Sequence, residues 1–369
     1  MLRPTALVAA LTLAAPLSIP PALADQPDSR PVRGWSVALG HEASAARGQR
    51  MADTRTFEML GVTWKSKNAP EVEVRTHTEG SWTRWRDLEA LGEHAPDRTS
   101  VEAARSTNPA PKASELIWVG PSDGVQVRVD GGRKGLRVVL VDPGSSPVDA
   151  QAVDAPATTQ SSARRAASGS PEPWMRKRGH WDANEKLRDG GPWYVGKLKQ
   201  AHIHHTAGSN NYSRADVAGI IRGMYWYHTQ QLGWSDLGYN FLVDRFGRLW
   251  EGRAGGIRRP VKGAHTLGFN HKSFGVAVIG TYTNVWPRYK VVQALVYLTS
   301  WKLDKYHRNA QGRVGMYSQG SDRYPKGRFV RLPIIDGHRD TNYTACPGDR
   351  LYQKLRIIRT RAQSRIDRY

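Results

Sequence analysis

The stretch KQAHIHH (residues 199–205) reads as a β-strand and decides the class of the domain that contains it. In a strand, side chains alternate between faces, so His202 and His204 share one face and His205 lies on the other. Downstream, Ser213 to about Leu232 reads as a helix, with Val217, Ile220, Ile221, Met224 and Tyr227 on one stripe and Ser213 or Asn211 near the N-cap. NFLVDRFGRLWEGR (240–253) reads as a hairpin turning at Phe246 and Gly247, and FGVAVIGTY (274–282) as a buried strand. KVVQALVYLTSWKLDKY (290–306) reads as a long helix, and LPIIDGHRD (332–340) begins as a strand. The final stripe is Leu351, Leu355, Ile358, Ala362 and Ile366, with Lys354, Arg356, Arg359, Arg361 and Arg365 outside it. Strands interleaved with helices predict an α/β layer arrangement over residues 174–369.

Upstream the pattern changes. Val125, Val127 and Val129 alternate with Gln126 and Arg128, the period of a half-buried strand. EVEVRT (71–76), ELIWVG (115–120) and LRVVLVDPG (136–144) read the same way, separated by Gly, Pro, Asn and Asp. Short strands without a long helix predict a small β-sandwich over residues 35–145, with no catalytic cluster in it. Trp82 and Trp85 in SWTRWRDLE (81–89) read as packing residues, with sugar stacking as the alternative. The Ser/Ala/Pro/Thr-rich stretch over 146–173 has almost nothing large and apolar to bury, so a disordered linker is expected there.

The first 24 residues follow the order of a secretory signal peptide: Arg3, an apolar run from about Ala6 to Leu17, then Ala22-Leu23-Ala24 before Asp25. That run is shorter than the roughly 20 residues needed to cross a bilayer, and no later segment is apolar enough to do so. The chain of 369 residues carries 54 Lys and Arg against 33 Asp and Glu, a formal charge of +21 that predicts an anionic partner or surface. A single cysteine excludes an internal disulfide framework and a CxxC zinc ribbon.

Three places hold nitrogen and sulfur donors that Zn²⁺ prefers: His202 to His205 at a strand end, His338 at the end of LPIIDG, and Cys346 in HRDTNYTACPG. Three protein donors would leave one tetrahedral corner open, the mark of a catalytic site. Taken singly, each histidine also reads as a surface or satisfied core residue, and the cysteine as a small buried apolar one. Asp340, two residues after His338, would share its face in a strand and either orient a ligand or pair with an arginine.

IHHTAG (203–208), GWSDLGYNFLVD (233–244), GRLWEGRAGG (247–256), GAHTLGFNHKSFGVAVIG (263–280) and GHRDTNYTACPGD (337–349) resemble the type 2 N-acetylmuramoyl-L-alanine amidases. That group includes the peptidoglycan recognition proteins and the phage-type amidase lysozymes. The β-rich region with its linker is similar to the arrangement in secreted actinobacterial members. The expected fold is thus an α/β amidase domain, a mixed central sheet flanked by helices, preceded by a smaller β-sandwich-like domain.

The resemblance implies zinc on His204, His338 and Cys346. It implies catalytic roles for Tyr239 and Thr344, which help place the water or the substrate carbonyl. It also implies contacts of His265 and Asn270 with the muramyl sugar or stem peptide, or a loop-holding role instead. Arg253 would meet a stem carboxylate or serve the fold. The activity implied is cleavage of the amide between N-acetylmuramic acid and L-Ala, the alternative being peptidoglycan binding without cleavage. A monomer secreted to the cell wall is expected, attracted also to anionic wall polymers, with no nucleic acid partner and no membrane span. Two departures stand out. His202 occupies a position that is usually apolar, making it a rival ligand or a support. The cysteine pair that secreted relatives often carry near Arg214 and Phe246 is missing.

Overall fold

The computed structural model describes residues 29–40, 49–51, 54–91, 94–105, 112–132, 134–150 and 169–369. The expected signal peptide and residues 151–168 of the expected linker lie outside them.

The first domain is the expected sandwich. Its strands are β1 (Arg33–Ala38), β2 (Gln49–Met51), β3 (Phe57–Trp64), β4 (Glu71–Thr78), β5 (Ser81–Trp82), β6 (Arg86–Asp87), β7 (Lys112–Ala113), β8 (Ile117–Ser122), β9 (Gly124–Asp130) and β10 (Arg137–Asp142). One sheet has the order β1-β10-β3-β7 with β8 also on β3; the other runs β2-β9-β4-β5 with β6 also on β4. Period-two patterning explains the packing: Val125, Val127 and Val129 of β9 and Val72 and Val74 of β4 meet Leu60, Val62, Val138 and Leu140 from the facing sheet. The only helix of the domain among the described residues is short, α1 (Val101–Arg105), apart from a partly described turn after β10. Trp82 and Trp85 lie under arginines, with Arg75 over both rings at 5.3 and 4.9 Å and Arg128 over Trp85 at 3.9 Å.

The second domain is built on a five-stranded mixed sheet of β11 (Gln200–His205), β12 (Phe241–Val243), β13 (Leu249–Glu251), β14 (Ser273–Val278) and, after the separate hairpin of β15 (Arg313–Tyr317) and β16 (Phe329–Pro333), β17 (Ile335–Gly337). Its order is β13-β12-β14-β11-β17. β11 runs parallel to β14 and β17, and β13 is antiparallel to β12. Helix α2 (Asp216–Trp226) starts where Ser213 and Asp216 bond each other's backbone N–H, and it ends in a π-helical turn over Tyr227–Gln231. Helices α3 (Tyr289–Asp304) and α4 (Asp349–Ile366) bury their apolar stripes, including Leu295, Leu298, Leu351, Leu355 and Ile358, in one cluster with Ala201 and Ile203 of β11. The alternation of β11 therefore sends Ala201 and Ile203 toward these helices and His202 and His204 to the opposite face.

That opposite face does not meet solvent. One apolar cluster runs through both domains. It joins Met59, Leu116, Trp118, Val139 and Val141 of the sandwich to Val217, Ile220, Met224, Tyr227 and Leu242 of the second domain. The fit is close: a Cβ at Gly34 of β1 would overlap the Trp226 indole. Arg222 on α2 pairs with Asp149 at 2.6 Å, and Tyr227 donates to Ser114 O at 3.2 Å. No helix among the described residues is long and apolar enough to cross a membrane.

Candidate metal centre

His204 stands near the C-terminal end of β11, His338 opens the 3₁₀ turn that follows β17, and Cys346 precedes α4. The sheet brings the first two together because β11 and β17 are neighbours, and Cys346 folds back over the end of β11, where the His205 N–H points at Sγ from 3.4 Å. Cys346 Sγ is 3.7 Å from His204 Nδ1, and the His204 and His338 ring centres are 4.8 Å apart.

A fourth residue completes the cluster, and it comes from the sandwich. One donor atom each from His94, His204, His338 and Cys346 fall within 4.8 Å of one another, and all four residues are buried. His94 Nε2 is 2.9 Å from His204 Nδ1 and 4.0 Å from Cys346 Sγ, and the His94 ring stacks on that of His338 with centres 4.1 Å apart. The three residues named from the sequence converge. His94 thus joins the group from a domain in which the sequence showed no catalytic cluster.

The donor set suits a metal ion. Both ring nitrogens of His338 are buried with no hydrogen-bond partner. Such a group is costly unless a cation takes a lone pair. Burial, reinforced by neighbouring imidazoles, pushes His204 and His338 well below the ordinary histidine value, so both rings are neutral and have a lone pair to offer. Burial also raises the Cys346 thiol well above its ordinary value, an effect only partly offset by the His205 N–H. A bound cation reverses that balance, since coordinated thiols lose their proton. Three imidazoles and one sulfur are a set that Zn²⁺ favours.

The surroundings hold His204 in place. His204 Nε2 lies 3.1 Å from His265 Nδ1 and 3.3 Å from Thr266 Oγ1, which leaves Nδ1 facing the cluster. Asn270 Oδ1 accepts from the N–H groups of His265 and Thr266 at 2.8 and 3.0 Å. A Cβ at Gly275 would overlap the His265 ring. His202 stands outside the four-donor group: its Nδ1 is 2.6 Å from Asp336 Oδ1, and Gln200 donates to the other carboxylate oxygen.

Tyr239 is buried beside the cluster, its ring centre 5.5 Å from that of His204, and its hydroxyl has no partner. Thr344 is half-buried and accepts from Cys346 N at 3.1 Å, which shapes the cysteine turn. Asp340 touches neither histidine nor arginine among its hydrogen bonds: it accepts from Gly337 N at 2.9 Å and from Tyr352 Oη at 2.7 Å. It lies in a 3₁₀ turn rather than a strand, so the shared-face expectation does not hold.

The residues expected to meet substrate are covered by the sandwich. Asn270 Nδ2 donates to Ala95 O and Asp97 Oδ1 at 2.8 and 3.0 Å, and Arg253 donates to Glu102 Oε1 at 2.5 Å. His265 is fully buried against His204.

Comparison with known proteins matches residues 195–349 to the family described as N-acetylmuramoyl-L-alanine amidase and residues 14–160 to the one described as Rv3811 N-terminal galactose-binding domain-like. The chain is 34% identical to peptidoglycan-recognition protein SC2 of Drosophila simulans over 160 residues, 43% of this chain and 73% of that protein. It is 32% identical to a peptidoglycan recognition protein of Trichoplusia ni over 154 residues, 42% of this chain and 71% of that protein. Among solved structures, Drosophila PGRP-LB aligns at 26% identity and a TM-score of 0.39, covering 49% of this chain and 92% of that one.

Proposed function

This chain belongs to the family of N-acetylmuramoyl-L-alanine amidases and peptidoglycan-recognition proteins, and we propose that it is a secreted, zinc-dependent peptidoglycan hydrolase that cuts the amide between N-acetylmuramic acid and the L-Ala of the stem peptide. The observation that carries this reading is the convergence of His204, His338 and Cys346, with both nitrogens of His338 free of hydrogen bonds. A module that only binds its ligand has no need of such a donor set.

Zn²⁺ bound there would polarise the scissile carbonyl and bring a water toward a pKa near 7. The remaining work falls to side chains. Burial, with the Glu115, Cys346 and Glu89 charges behind it, holds the Tyr239 phenol protonated. Its unpartnered hydroxyl can thus donate to a carbonyl oxygen as that oxygen gains charge. His265 and Thr266 fix the tautomer of His204. Thr344 holds the turn that presents Cys346, and its hydroxyl would be the second donor to the reacting group. The basic chain, +21 overall, would concentrate at anionic wall polymers.

The test is mass spectrometry of muropeptides digested to completion by the zinc-loaded chain. Stem peptides with a free L-Ala amine are the expected product. New reducing sugar ends in their place would make the protein a glycosidase, and muropeptides left intact both by the parent chain and by a variant with residues 94–102 released would leave it a binding protein.

A further inference from the structure

We propose that His94, carried by the sandwich domain, is a fourth protein ligand of the metal, and that the chain as folded is a self-inhibited form whose hydrolytic corner opens only when residues 94–102 withdraw. The proposal rests on the metal-hydrolase reading above and adds to it an internal occupant of the fourth coordination position.

The geometry of His94 is that of a ligand. Its Nδ1 is 2.6 Å from Glu115 Oε1, a carboxylate from the same domain, and both side chains are under a tenth exposed. The acid beside Nδ1 favours a proton on that nitrogen, which leaves Nε2 as the lone-pair nitrogen, and Nε2 is the atom that faces His204 and Cys346. Carboxylate, imidazole and metal in a row is the arrangement that orients metal-bound histidines and raises their basicity. A histidine that merely packed against the site would not need a buried acid behind it. A closed set of four protein donors is the mark of a structural metal site; a hydrolytic one keeps a corner free.

The rest of the segment occupies the approach to the metal. Asp97 Oδ1 accepts from Gly268 N at 2.9 Å and from Asn270 Nδ2 at 3.0 Å, while its Oδ2 pairs with Lys262 at 3.1 Å. Glu102 Oε1 accepts from Ser235 N, Ser235 Oγ and Arg253 Nη2 at 3.0, 2.7 and 2.5 Å. Outside the segment, Glu89 Oε2 of the same domain is 3.1 Å from His205 Nε2. Three carboxylates of the sandwich thus engage cationic and N–H groups around the cluster, as an acidic stem peptide would. The donor atoms have no path to bulky substrate while this contact stands: His94 is 4% exposed, Cys346 1%, and His204 and His338 0%. The shared apolar cluster beneath makes the docked arrangement the resting one.

The experiment compares the full chain with its His94→Ala and His94→Gln variants, each loaded with Co²⁺ for spectroscopy and Zn²⁺ for hydrolysis. With four protein donors, the visible Co²⁺ bands of the parent chain should not respond to added azide, whereas both variants should shift. Muropeptide hydrolysis should rise on the order of tenfold or more in the variants, since a site that is rarely open loses apparent activity in proportion. Azide-sensitive bands in the parent chain equal to those of the variants would overturn the assignment of His94, whatever the activity. Azide binding at the metal without any cleavage, when Asp97→Asn and Glu102→Gln are added to His94→Ala to release the rest of the segment, would uphold His94 as the ligand and overturn the hydrolase reading instead. His94→Gln keeps the side-chain volume and so guards against a mere folding defect, with the melting temperature measured on all three proteins.

Discussion

Cys346 Sγ lies 3.7 Å from His204 Nδ1, although 142 residues separate them in the chain. Removing either end of this contact, or the neighbouring His338, should dismantle the metal site. Cys346→Ser and His338→Ala are expected to hold the roughly one zinc per chain of the parent far more weakly, measured by elemental analysis after dialysis against a chelator. Full metal content in both variants would refute the donor assignment.

Tyr239 is expected to act on the reaction and not on the metal, because its buried hydroxyl has no partner at rest. Tyr239→Phe should keep its zinc and lose about 10²-fold in kcat, the usual cost of an oxyanion donor. The comparison is best made in the His94→Ala background as well as in the parent chain. Unchanged turnover would take Tyr239 out of the mechanism.

The two domains should unfold together. Met59 is fully buried in the cluster that spans both, packed where a Cβ on Gly223 of α2 would overlap its sulfur. Met59→Ala is expected to cost about 2–5 kcal/mol and to lower one common thermal transition. Two separate transitions, with only the sandwich affected, would count against a shared core.

Glu58 gives that contact a pH dependence. Burial, then the charges of Asp142 and Asp216, raise its carboxyl from 4.5 to about 7, against the pull of Arg30 and Arg222. A raised carboxyl binds its proton more tightly in the folded state. Its contribution is therefore fully present below pH 4.5 and lost as pH climbs through 7. Relative to Glu58→Gln, the parent chain should lose stability across that interval, by at most about 3 kcal/mol, and run parallel to it above. Melting curves from pH 4 to pH 9 would test this; parallel curves throughout would remove Glu58 from the interface electrostatics.

The central sheet was legible because β11 and β14 carry buried apolar residues at strand period, and α3 and α4 show continuous stripes. The hairpin of β15 and β16 was not, because it is exposed on most of its surface and buries little beyond Met316 and Leu332, too few for any periodicity. His204, His338 and Cys346 could be named from the motifs that contain them, whereas His94 could not. It sits in LGEHAPDRTS (91–100) with no pattern around it, and no local signal links it to a strand 110 residues away. Only the docking of two domains creates that proximity. The same docking explains why Asn270 and Arg253, expected to face substrate, instead bond Asp97 and Glu102.

At the two positions noted above for a missing cysteine pair, the Arg214 guanidinium lies 4.7 Å from the Phe246 ring centre, with Arg245 and Arg248 over the same ring. Cation–π attraction at such a corner amounts to about 0.5–1 kcal/mol per contact and asks nothing of the redox environment. With its lone sulfhydryl shut inside the cluster, maturation of this polypeptide involves no intramolecular oxidation step, and a phosphine reductant should leave its melting point where it was.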